Sequence, residues 1–324
     1  MLGGVIERRV LGRTGLVVSR LGLGLAALGR PAYINLGHGD DLSGRTDVAS
    51  MERNAHAVLD VASEAGIRYF DAARSYGRAE EFLAAWLQRR GLAPGDVAVG
   101  SKWGYVYTGD WRVDAEQHEV KDLSAATLRR QLAESRSLVG EHLRLYQIHS
   151  ATLESGVLDD AGILDELERL RERGLAIGLT VTGARQSETV ERAVELGRFD
   201  AVQATWNVLE PSAAEALAQA HASGLGVIVK EALANGRLTA RGDVPLLREI
   251  SRERGSTPDA LALAAALAQP WADVVLSGAA TVEVLRSNVA ACSCDYDEGV
   301  AERLAALRED REHYWPRRAE LAWN

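Results

Sequence analysis

Ionisable side chains stand at the ends of three apolar segments of this chain, where a strand would run out toward solvent. Asp71 lies near the end of IRYFDAA, and Tyr76 follows it five residues later in YFDAARSYGRAE. Lys102 lies near the end of VAVGSKW, and His149 near the end of RLYQIHS. A tyrosine with an ordinary pKa of about 10 becomes a usable acid or base near neutral pH when a cation stabilises its phenolate. These four residue types could therefore form a proton-transfer site, provided that the fold brings them together.

Eight short apolar runs alternate with amphipathic stretches from one end of the chain to the other. The runs cover residues 19–25, 67–73, 97–103, 144–150, 175–181, 200–206, 225–232 and 272–278. They are too continuously apolar for half-exposed strands, which favours parallel strands buried on both faces. Several stretches between them end in a glycine, which commonly stops a helix. We predict an α/β fold, a (β/α)8 TIM barrel, and a single domain over residues 1–324, because no Pro/Ser-rich linker interrupts the pattern.

A doubly wound open sheet is the competing fold. It is less favoured because the turn after the first run, GLGLAALG, does not complete the G-x-G-x-x-G pattern of dinucleotide-binding sheets. Before the first barrel strand, RRVLGRTGLVVS predicts a β-hairpin that turns at residues 13–15 and could close the barrel bottom. After the eighth strand, TVEVLRSNVAAC and EGVAERLAALREDREHYWPRR predict extra C-terminal helices.

The barrel would gather the ionisable side chains at one face. Active sites of such barrels lie where the strands end, and neighbouring strands are about 4.8 Å apart. Asp71, Lys102 and His149 end three successive strands, and Tyr76 follows in the loop after the first of these. We therefore expect the four side chains to line one pocket.

The sequence also resembles the aldo-keto reductases, from about residue 8 to residue 291. The resemblance is carried by LGRTGLVVSRLGLG, FDAARSYGRAE, VGSKWG, YQIHS, IGLTVTG, VQATWN and SGAATVEVLRSN. By this resemblance Asp71, Tyr76, Lys102 and His149 match the family's four catalytic positions. It implies an NAD(P)(H)-dependent enzyme that interconverts an aldehyde or ketone, sugars included, with the alcohol.

The proton chemistry of these four residues is consistent with that activity. A hydride must come from a cofactor, because no side chain can supply one. Tyr76 would be the general acid and base, and Lys102 the cation that stabilises its phenolate. Asp71 would hold Lys102 charged and in place. His149 would orient the substrate oxygen or relay a proton.

The resemblance further implies a set of cofactor contacts. Thr180 and Gln203 would hold the nicotinamide carboxamide, although Val181 replaces a usual asparagine. Lys230 stands where an aromatic normally stacks on the nicotinamide, and an internal ion pair with Glu231 is an equally good interpretation. The remaining expected contacts are Asp47 near the cofactor, Gly236 and Arg237 at the pyrophosphate, and Gly278, Ala279, Thr281 and Asn288 around the adenosine.

The expected cofactor is NADP(H) by family habit, with NAD(H) also accepted. Ala280 and Val284 occupy the two positions best placed to bind the 2′-phosphate that distinguishes NADPH, and neither can donate to it. Trp103, Tyr105 and Trp206 could line a pocket for a flat or ring-shaped substrate, or could serve as packing residues. The long first loop, AALGRPAYINLGHGDDLSGRTD, could form part of the rim.

Composition narrows the classes of partner. The chain has 37 basic and 46 acidic residues and a net charge of -9, which argues against general binding of nucleic acid or anionic membrane. MLGGVIERRV has no apolar core of signal-peptide length, and DALALAAALAQPW is too short to span a bilayer, so a cytoplasmic location is expected. Cys292 and Cys294 are interpreted as reduced cysteines, and no metal site is expected. The oligomeric state stays open.

Two other functions fit the same barrel. Some relatives of the aldo-keto reductases are cofactor-binding regulatory subunits with little turnover, although the complete catalytic set favours chemistry here. A Schiff-base aldolase with Lys230 or Lys102 as nucleophile is the third possibility. Borohydride trapping of a substrate-linked lysine would distinguish it from a reductase.

Overall fold

The computed structural model describes residues 6–324 of the chain. The part of the targeting prediction that concerns MLGGV lies outside these described residues. The strands are β1 (Arg8–Val10), β2 (Val17–Ser19), β3 (Leu21–Gly24), β4 (Tyr69–Asp71), β5 (Ala98–Trp103), β6 (Tyr105–Tyr107), β7 (Glu119–Lys121), β8 (Leu143–Ala151), β9 (Ala176–Val181), β10 (Ala201–Thr205), β11 (Gly226–Lys230) and β12 (Val274–Ser277).

Eight of these strands close into a parallel barrel in chain order. The order is β3, β4, β5, β8, β9, β10, β11 and β12, and β12 returns to pair with β3. Each barrel strand falls within or next to one of the eight apolar runs, so the predicted (β/α)8 barrel is confirmed. The strands are buried because helices cover their outer faces and side chains fill the interior.

The helices begin and end where the sequence provides caps. They are α1 (His38–Leu42), α2 (Val48–Glu64), α3 (Ala79–Arg90), α4 (Ala125–Val139), α5 (Ala161–Glu172), α6 (Gln186–Leu196), α7 (Ala214–Ala222), α8 (Pro245–Glu253), α9 (Pro258–Leu267), α10 (Val282–Val289), α11 (Glu298–Ala305) and α12 (Arg311–Ala319). The Ser124 and Thr257 side chains accept hydrogen bonds at the starts of α4 and α9. Gly91 and Gly197 end α3 and α6 in the left-handed conformation. Among residues 6–324, no helix has the length and apolarity needed to cross a membrane.

The N-terminal hairpin closes the bottom of the barrel, as predicted. β1 and β2 pair antiparallel, and Leu11, between the two strands, is buried against barrel residues that include Tyr69 and Ile228. Gly12 has φ +46° and lies so close to the backbone of Gly226 that a Cβ atom would collide with it. The hairpin therefore approaches the barrel at a glycine-to-glycine contact.

Two elements at the barrel mouth were not predicted from the sequence. β6 and β7 form a short antiparallel ladder in the connection between β5 and β8, and α1 lies in the long first loop. Both ladder strands have three residues, which is too short to give a recognisable alternation. The ladder places Tyr105 and Glu119 beside the strand ends, so it contributes to the site.

The contact between the N-terminal hairpin and the barrel gives a prediction for stability. Leu11→Ala should lower the free energy of unfolding by about 2–5 kcal/mol, because it leaves a cavity under the barrel. Val10→Ala, at the neighbouring residue, should change it by less than about 0.5 kcal/mol, because Val10 is 52% exposed and Leu11 is 0% exposed. Urea unfolding of both variants measures this difference, and equally small losses would show that the hairpin does not contribute to the core.

Candidate active site

A cavity of about 440 Å³ opens at the end of the barrel where the strands terminate. Strand-end residues line it, together with the first loop, the loop after β11 and residues near the C-terminus. The residues from the barrel strands and the loop after β4 include Asp71, Tyr76, His149, Thr180, Gln203 and Lys230. The structure thus brings three of the four predicted catalytic residues to one cavity wall, and Lys102 lies directly beneath them.

A buried ion pair forms the floor of this site. Lys102 Nζ donates to Asp71 Oδ1 and to the Ala72 carbonyl oxygen (2.9 Å), and both charged residues are at most 2% exposed. Asp71 Oδ2 also accepts hydrogen bonds from Gln203 Nε2 (3.0 Å) and the Tyr69 hydroxyl (3.3 Å). Burying two charges is costly unless they are paired and their remaining hydrogen-bonding atoms are satisfied. Both conditions are met here.

The strand register explains why the pair forms. Asp71 on β4 is opposite Gly100 on β5, and Lys102 lies two residues further along, so its side chain has the same inward orientation as residue 100. Gly100 has no side chain, and a Cβ atom there would collide with the Tyr69 hydroxyl. The glycine therefore leaves the space in which Tyr69 reaches Asp71.

Tyr76 lies above the ion pair, in the loop between β4 and α3. Its ring centroid is 4.9 Å from Lys102 Nζ, 5.1 Å from Arg30 Cζ and 5.5 Å from the imidazole centroid of His149. Burial raises the pKa of Tyr76 well above its usual range; Asp71 raises it further, whereas Arg30 lowers it. The phenol is therefore protonated at neutral pH and can donate a proton.

His149 lies beside Tyr76, near the end of β8. The strand register shifts between Ile148 and Ala151, and Ser150 adopts φ +54°, so the strand bends where His149 faces the cavity. Burial, reinforced by the positive charge of Lys102, holds the pKa of His149 well below its usual value. A neutral imidazole suits the predicted role of orienting a substrate oxygen by a hydrogen bond.

A second charged cluster occupies the end of β11. Lys230 Nζ donates to Thr205 Oγ1 (2.9 Å) and lies 3.7 Å from Glu231 Oε1. Arg318 on α12 donates to both oxygens of Glu231, at distances of 2.5–3.2 Å. Burial lowers the pKa of Lys230 to about 8, and the pKa of Glu231 is about 2 because the Arg318 and Lys230 charges outweigh its burial. Lys230 and Glu231 thus form the internal ion pair that was one interpretation of the sequence. Lys230 also lines the cavity.

Several residues predicted to bind the cofactor line this same cavity. They are Thr180, Gln203, Lys230, Gly236, Gly278 and Asn288. Asn288 is buried. In the amide orientation that satisfies both of its polar atoms, its oxygen accepts from Ser277 Oγ (2.8 Å) and its nitrogen donates to Asp259 Oδ2 (2.8 Å). Ala279 is buried beside Gly278, and the Thr281 side chain accepts from Val284 N (3.2 Å) as the N-cap of α10. Ala279 and Thr281 therefore shape the wall without lining it.

Two predicted cofactor contacts need correction. Asp47 is exposed and caps α2, where its Oδ1 accepts from Ser50 N (2.9 Å), and it does not line the cavity. Arg237 is 5% exposed and donates to both carboxylate oxygens of Glu309, at 2.9 and 2.5 Å. Arg237 also lies outside the cavity wall, so its guanidinium serves a structural ion pair.

The structure favours packing over a substrate pocket for two of the three aromatic residues. Trp103 is 0% exposed within the barrel core, and Trp206 is buried edge-on against Trp271 with ring centroids 5.9 Å apart. Neither tryptophan lines the cavity. Tyr105 lies at the margin, where its ring meets the His149 ring edge-on at 4.9 Å. Two of these three aromatics are therefore packing residues.

The sequence did not single out several charged and aromatic residues of the cavity wall. These are Arg30, Tyr33, Asp41, Glu119, Arg241, Glu283, Arg318 and Trp323. Most come from loops or from the C-terminal segment, where no strand periodicity marks a side chain as inward-facing. The length of the first loop was the available signal, and that loop does form part of the rim. Among residues 6–324, no group of three or more His, Cys, Asp or Glu side chains is arranged to hold a metal ion.

A closed parallel barrel with ionisable side chains gathered at its strand ends is the architecture of many barrel enzymes. The chain belongs to the Aldo/keto reductase family, whose family model matches residues 20–309. It is a carbonyl oxidoreductase of a family that uses nicotinamide cofactors, usually NADP(H), and acts on small-molecule carbonyl substrates.

Individual relatives agree with this assignment. The chain is 29% identical to a D-threo-aldose 1-dehydrogenase from a Pseudomonas species, over 73% of this chain and 75% of that one. It is 27% identical to the L-galactose dehydrogenase of Arabidopsis thaliana, over 96% and 97% of the two chains. The holo form of an aldo-keto reductase from Bacillus halodurans has the same fold, with a TM-score of 0.71 and 21% identity over 94% of this chain and 97% of that one.

The buried ion pair gives a second stability prediction. Lys102→Met should lower the free energy of unfolding by about 3–5 kcal/mol, because it leaves the Asp71 carboxylate buried without its cation. Lys121→Met is the control, since Lys121 is exposed on β7 and should cost less than about 1 kcal/mol. Urea unfolding measures both, and a Lys102→Met protein as stable as the control would contradict the structural role of the pair.

Proposed function

We propose that this chain is an NAD(P)(H)-dependent oxidoreductase that interconverts an aldehyde or ketone with the alcohol, with Tyr76 as general acid and base. One observation carries the proposal: the Tyr76 phenol lines a cavity beside neutral His149 and above the Asp71–Lys102 ion pair. The proposal is supported because a phenol that can donate a proton and a neutral imidazole that can hydrogen-bond to an oxygen line the same cavity.

The residues of the cavity fit a nicotinamide nucleotide. Gln203 Nε2 is engaged by Asp71, which leaves Gln203 Oε1 to accept from a carboxamide N–H. Thr180 Oγ1 accepts from Ser150 N (2.7 Å), which leaves its hydroxyl hydrogen for a carboxamide oxygen. Gly236, Gly278 and Asn288 would hold the remainder of the nucleotide along the same wall.

A bound nicotinamide would supply the hydride for reduction and accept it in oxidation. In the reducing direction, Tyr76 gives its phenolic proton to the substrate oxygen as the carbonyl carbon is reduced, and the proton is later regained from solvent. In the oxidising direction, the Tyr76 phenolate takes the proton of the substrate hydroxyl. His149 donates or accepts a hydrogen bond at the same oxygen and keeps it near Tyr76.

An aldose is the substrate class that we propose to test first. Two relatives, the D-threo-aldose 1-dehydrogenase and the L-galactose dehydrogenase, are named for sugars. Charged and amide side chains from the loops around the cavity, including Arg30, Asn35 and Glu119, could bind sugar hydroxyls. A panel of aldoses, simple aldehydes and ketones, assayed by NADH or NADPH absorbance in both directions, tests this choice. Turnover of simple ketones with no aldose activity would refute it.

The Schiff-base alternative retains one supporting observation. Lys230 lines the cavity and burial lowers its pKa to about 8, which increases the fraction of neutral amine relative to an ordinary lysine. Lys102 is held by Asp71 and Ala72 and is not free to act as a nucleophile. Borohydride treatment with substrate, followed by mass spectrometry of the Lys230 peptide, tests the alternative, and a trapped adduct would favour the aldolase.

The role of Tyr76 gives a kinetic prediction. Tyr76→Phe should reduce kcat by about 10²- to 10⁴-fold, the usual contribution of a general acid, while the dissociation constant of the cofactor changes little. Tyr107→Phe is the control, because Tyr107 lies on β6 and its hydroxyl accepts from Trp111 N (3.1 Å). A Tyr76→Phe enzyme with most of its carbonyl reductase activity would remove Tyr76 from the proposed role.

The choice of cofactor gives another prediction. NADPH differs by a 2′-phosphate that charge-assisted hydrogen bonds normally recognise. Val284 and the acidic Glu283 line the cavity at the start of α10, whereas Arg286 is exposed and does not line it. The Arg185 guanidinium is paired with Glu154 and Glu188. We expect kcat/KM for NADH to lie within about 100-fold of the value for NADPH, or above it, which corresponds to less than about 3 kcal/mol of discrimination.

Steady-state kinetics with both cofactors and one good substrate measure this preference. Val284→Arg should increase the NADPH to NADH ratio by about tenfold or more, because it adds a cation at the cavity wall. A preference of the unaltered enzyme for NADPH above about 1000-fold would show that another residue binds the phosphate.

A further inference from the structure

Arg30 is a buried cation that lies directly beside Tyr76. It belongs to the first loop, lines the cavity and is 3% exposed. Its Cζ atom is 5.1 Å from the ring centroid of Tyr76, 5.2 Å from that of Tyr33 and 4.7 Å from that of Trp323. Three aromatic rings therefore surround the guanidinium, and one of them belongs to the proposed general acid and base.

The hydrogen bonds that hold Arg30 in place are both made by one guanidinium nitrogen, Nη1. Arg30 Nη1 donates to Glu119 Oε2 (2.9 Å) and to the Ser75 carbonyl oxygen (3.1 Å). Arg30 Nε is buried without a hydrogen-bond partner among the described residues. A buried guanidinium with an unsatisfied N–H is costly to stability. Such a group is typical of a functional site, where a cost to stability serves another purpose.

Lys102 supplies less net positive charge to Tyr76 than its proximity indicates. Its ammonium is bound to Asp71, whose carboxylate opposes ionisation of the Tyr76 phenol. The partner of Arg30 is Glu119, whose side chain is 23% exposed and whose effect on the pKa of Tyr76 is smaller than that of Arg30. Arg30 therefore lowers the pKa of Tyr76 by more than its partner Glu119 raises it.

We propose that Arg30 is a second positioning cation of the site, which stabilises the Tyr76 phenolate when the enzyme oxidises an alcohol. This inference rests on the proposed function, because it assumes that Tyr76 accepts the proton of the substrate hydroxyl. The charged and titratable groups that also face Tyr76 are Asp71, Lys102, Glu119, Glu231, Tyr33 and neutral His149.

The test is the pH profile of kcat for alcohol oxidation. Arg30→Met alone would leave Glu119 partly buried and unpaired, so the informative comparison is Glu119→Gln with the double variant Arg30→Met/Glu119→Gln. Compared with Glu119→Gln, the double variant should lose activity on the acid side of its profile at a higher pH. Its kcat at pH 7 should be lower than that of Glu119→Gln by about tenfold or more, as expected when a charge within about 4 to 6 Å is removed. Glu119→Gln alone should shift the acid side of the profile to lower pH than in the unaltered enzyme, because it removes a carboxylate that raises the pKa of Tyr76.

Arg30→Lys should restore much of the profile, since it keeps the charge. Arg78→Met is the matched control: Arg78 follows Tyr76 by two residues, its side chain is 48% exposed, and its profile should match that of the unaltered enzyme. Coincident profiles of Glu119→Gln and the double variant would overturn the proposal for Arg30. Retained activity in Tyr76→Phe would instead overturn the proposed function, so the two failures are distinguishable.

Discussion

The buried ion pair between Asp71 and Lys102 is the interaction on which the rest of the site depends. Two charges lie at most 2% exposed inside the barrel, and neither is tolerable there without the other. The pairing requires β4 and β5 to be in register, and it requires a glycine at position 100 so that Tyr69 can complete the hydrogen bonds of Asp71. This one contact therefore depends on the strand register of the barrel and also positions the charged residues of the site.

Two further ion pairs lie at the cavity wall and shape it. Arg30 and Glu119 join the first loop to β7, and Arg318 on α12 holds Glu231 beside Lys230. The second cluster makes the cavity wall at the end of β11 charged. A polar, charged wall fits a hydroxyl-rich substrate better than an aromatic one, in agreement with the burial of Trp103 and Trp206 away from the cavity.

The barrel and the strand-end residues were predictable because they follow a physical rule. Parallel strands buried on both faces give continuous apolar runs, and their ends meet at one face, which located Asp71, Lys102 and His149. Arg30 was missed because a loop carries no periodicity that would mark a side chain as inward-facing, and Glu119 because its strand has only three residues. Asp47 and Arg237 were placed by resemblance alone, and the structure gives them a helix cap and an ion pair. For Trp103 the sequence left a pocket and a packing role open, and its complete burial favours packing.

The most direct test of the account is a double-mutant cycle on kcat for carbonyl reduction, with Asp71→Asn, Lys102→Met and both together. If the two residues act as one unit, each single variant should lose about as much activity as the double variant, with an interaction energy of at least about 1 kcal/mol. The free energy of unfolding of each variant, measured in parallel, confirms that the folded enzyme is being assayed. Losses that simply add, within about 0.5 kcal/mol, would contradict the claim that this ion pair organises the site.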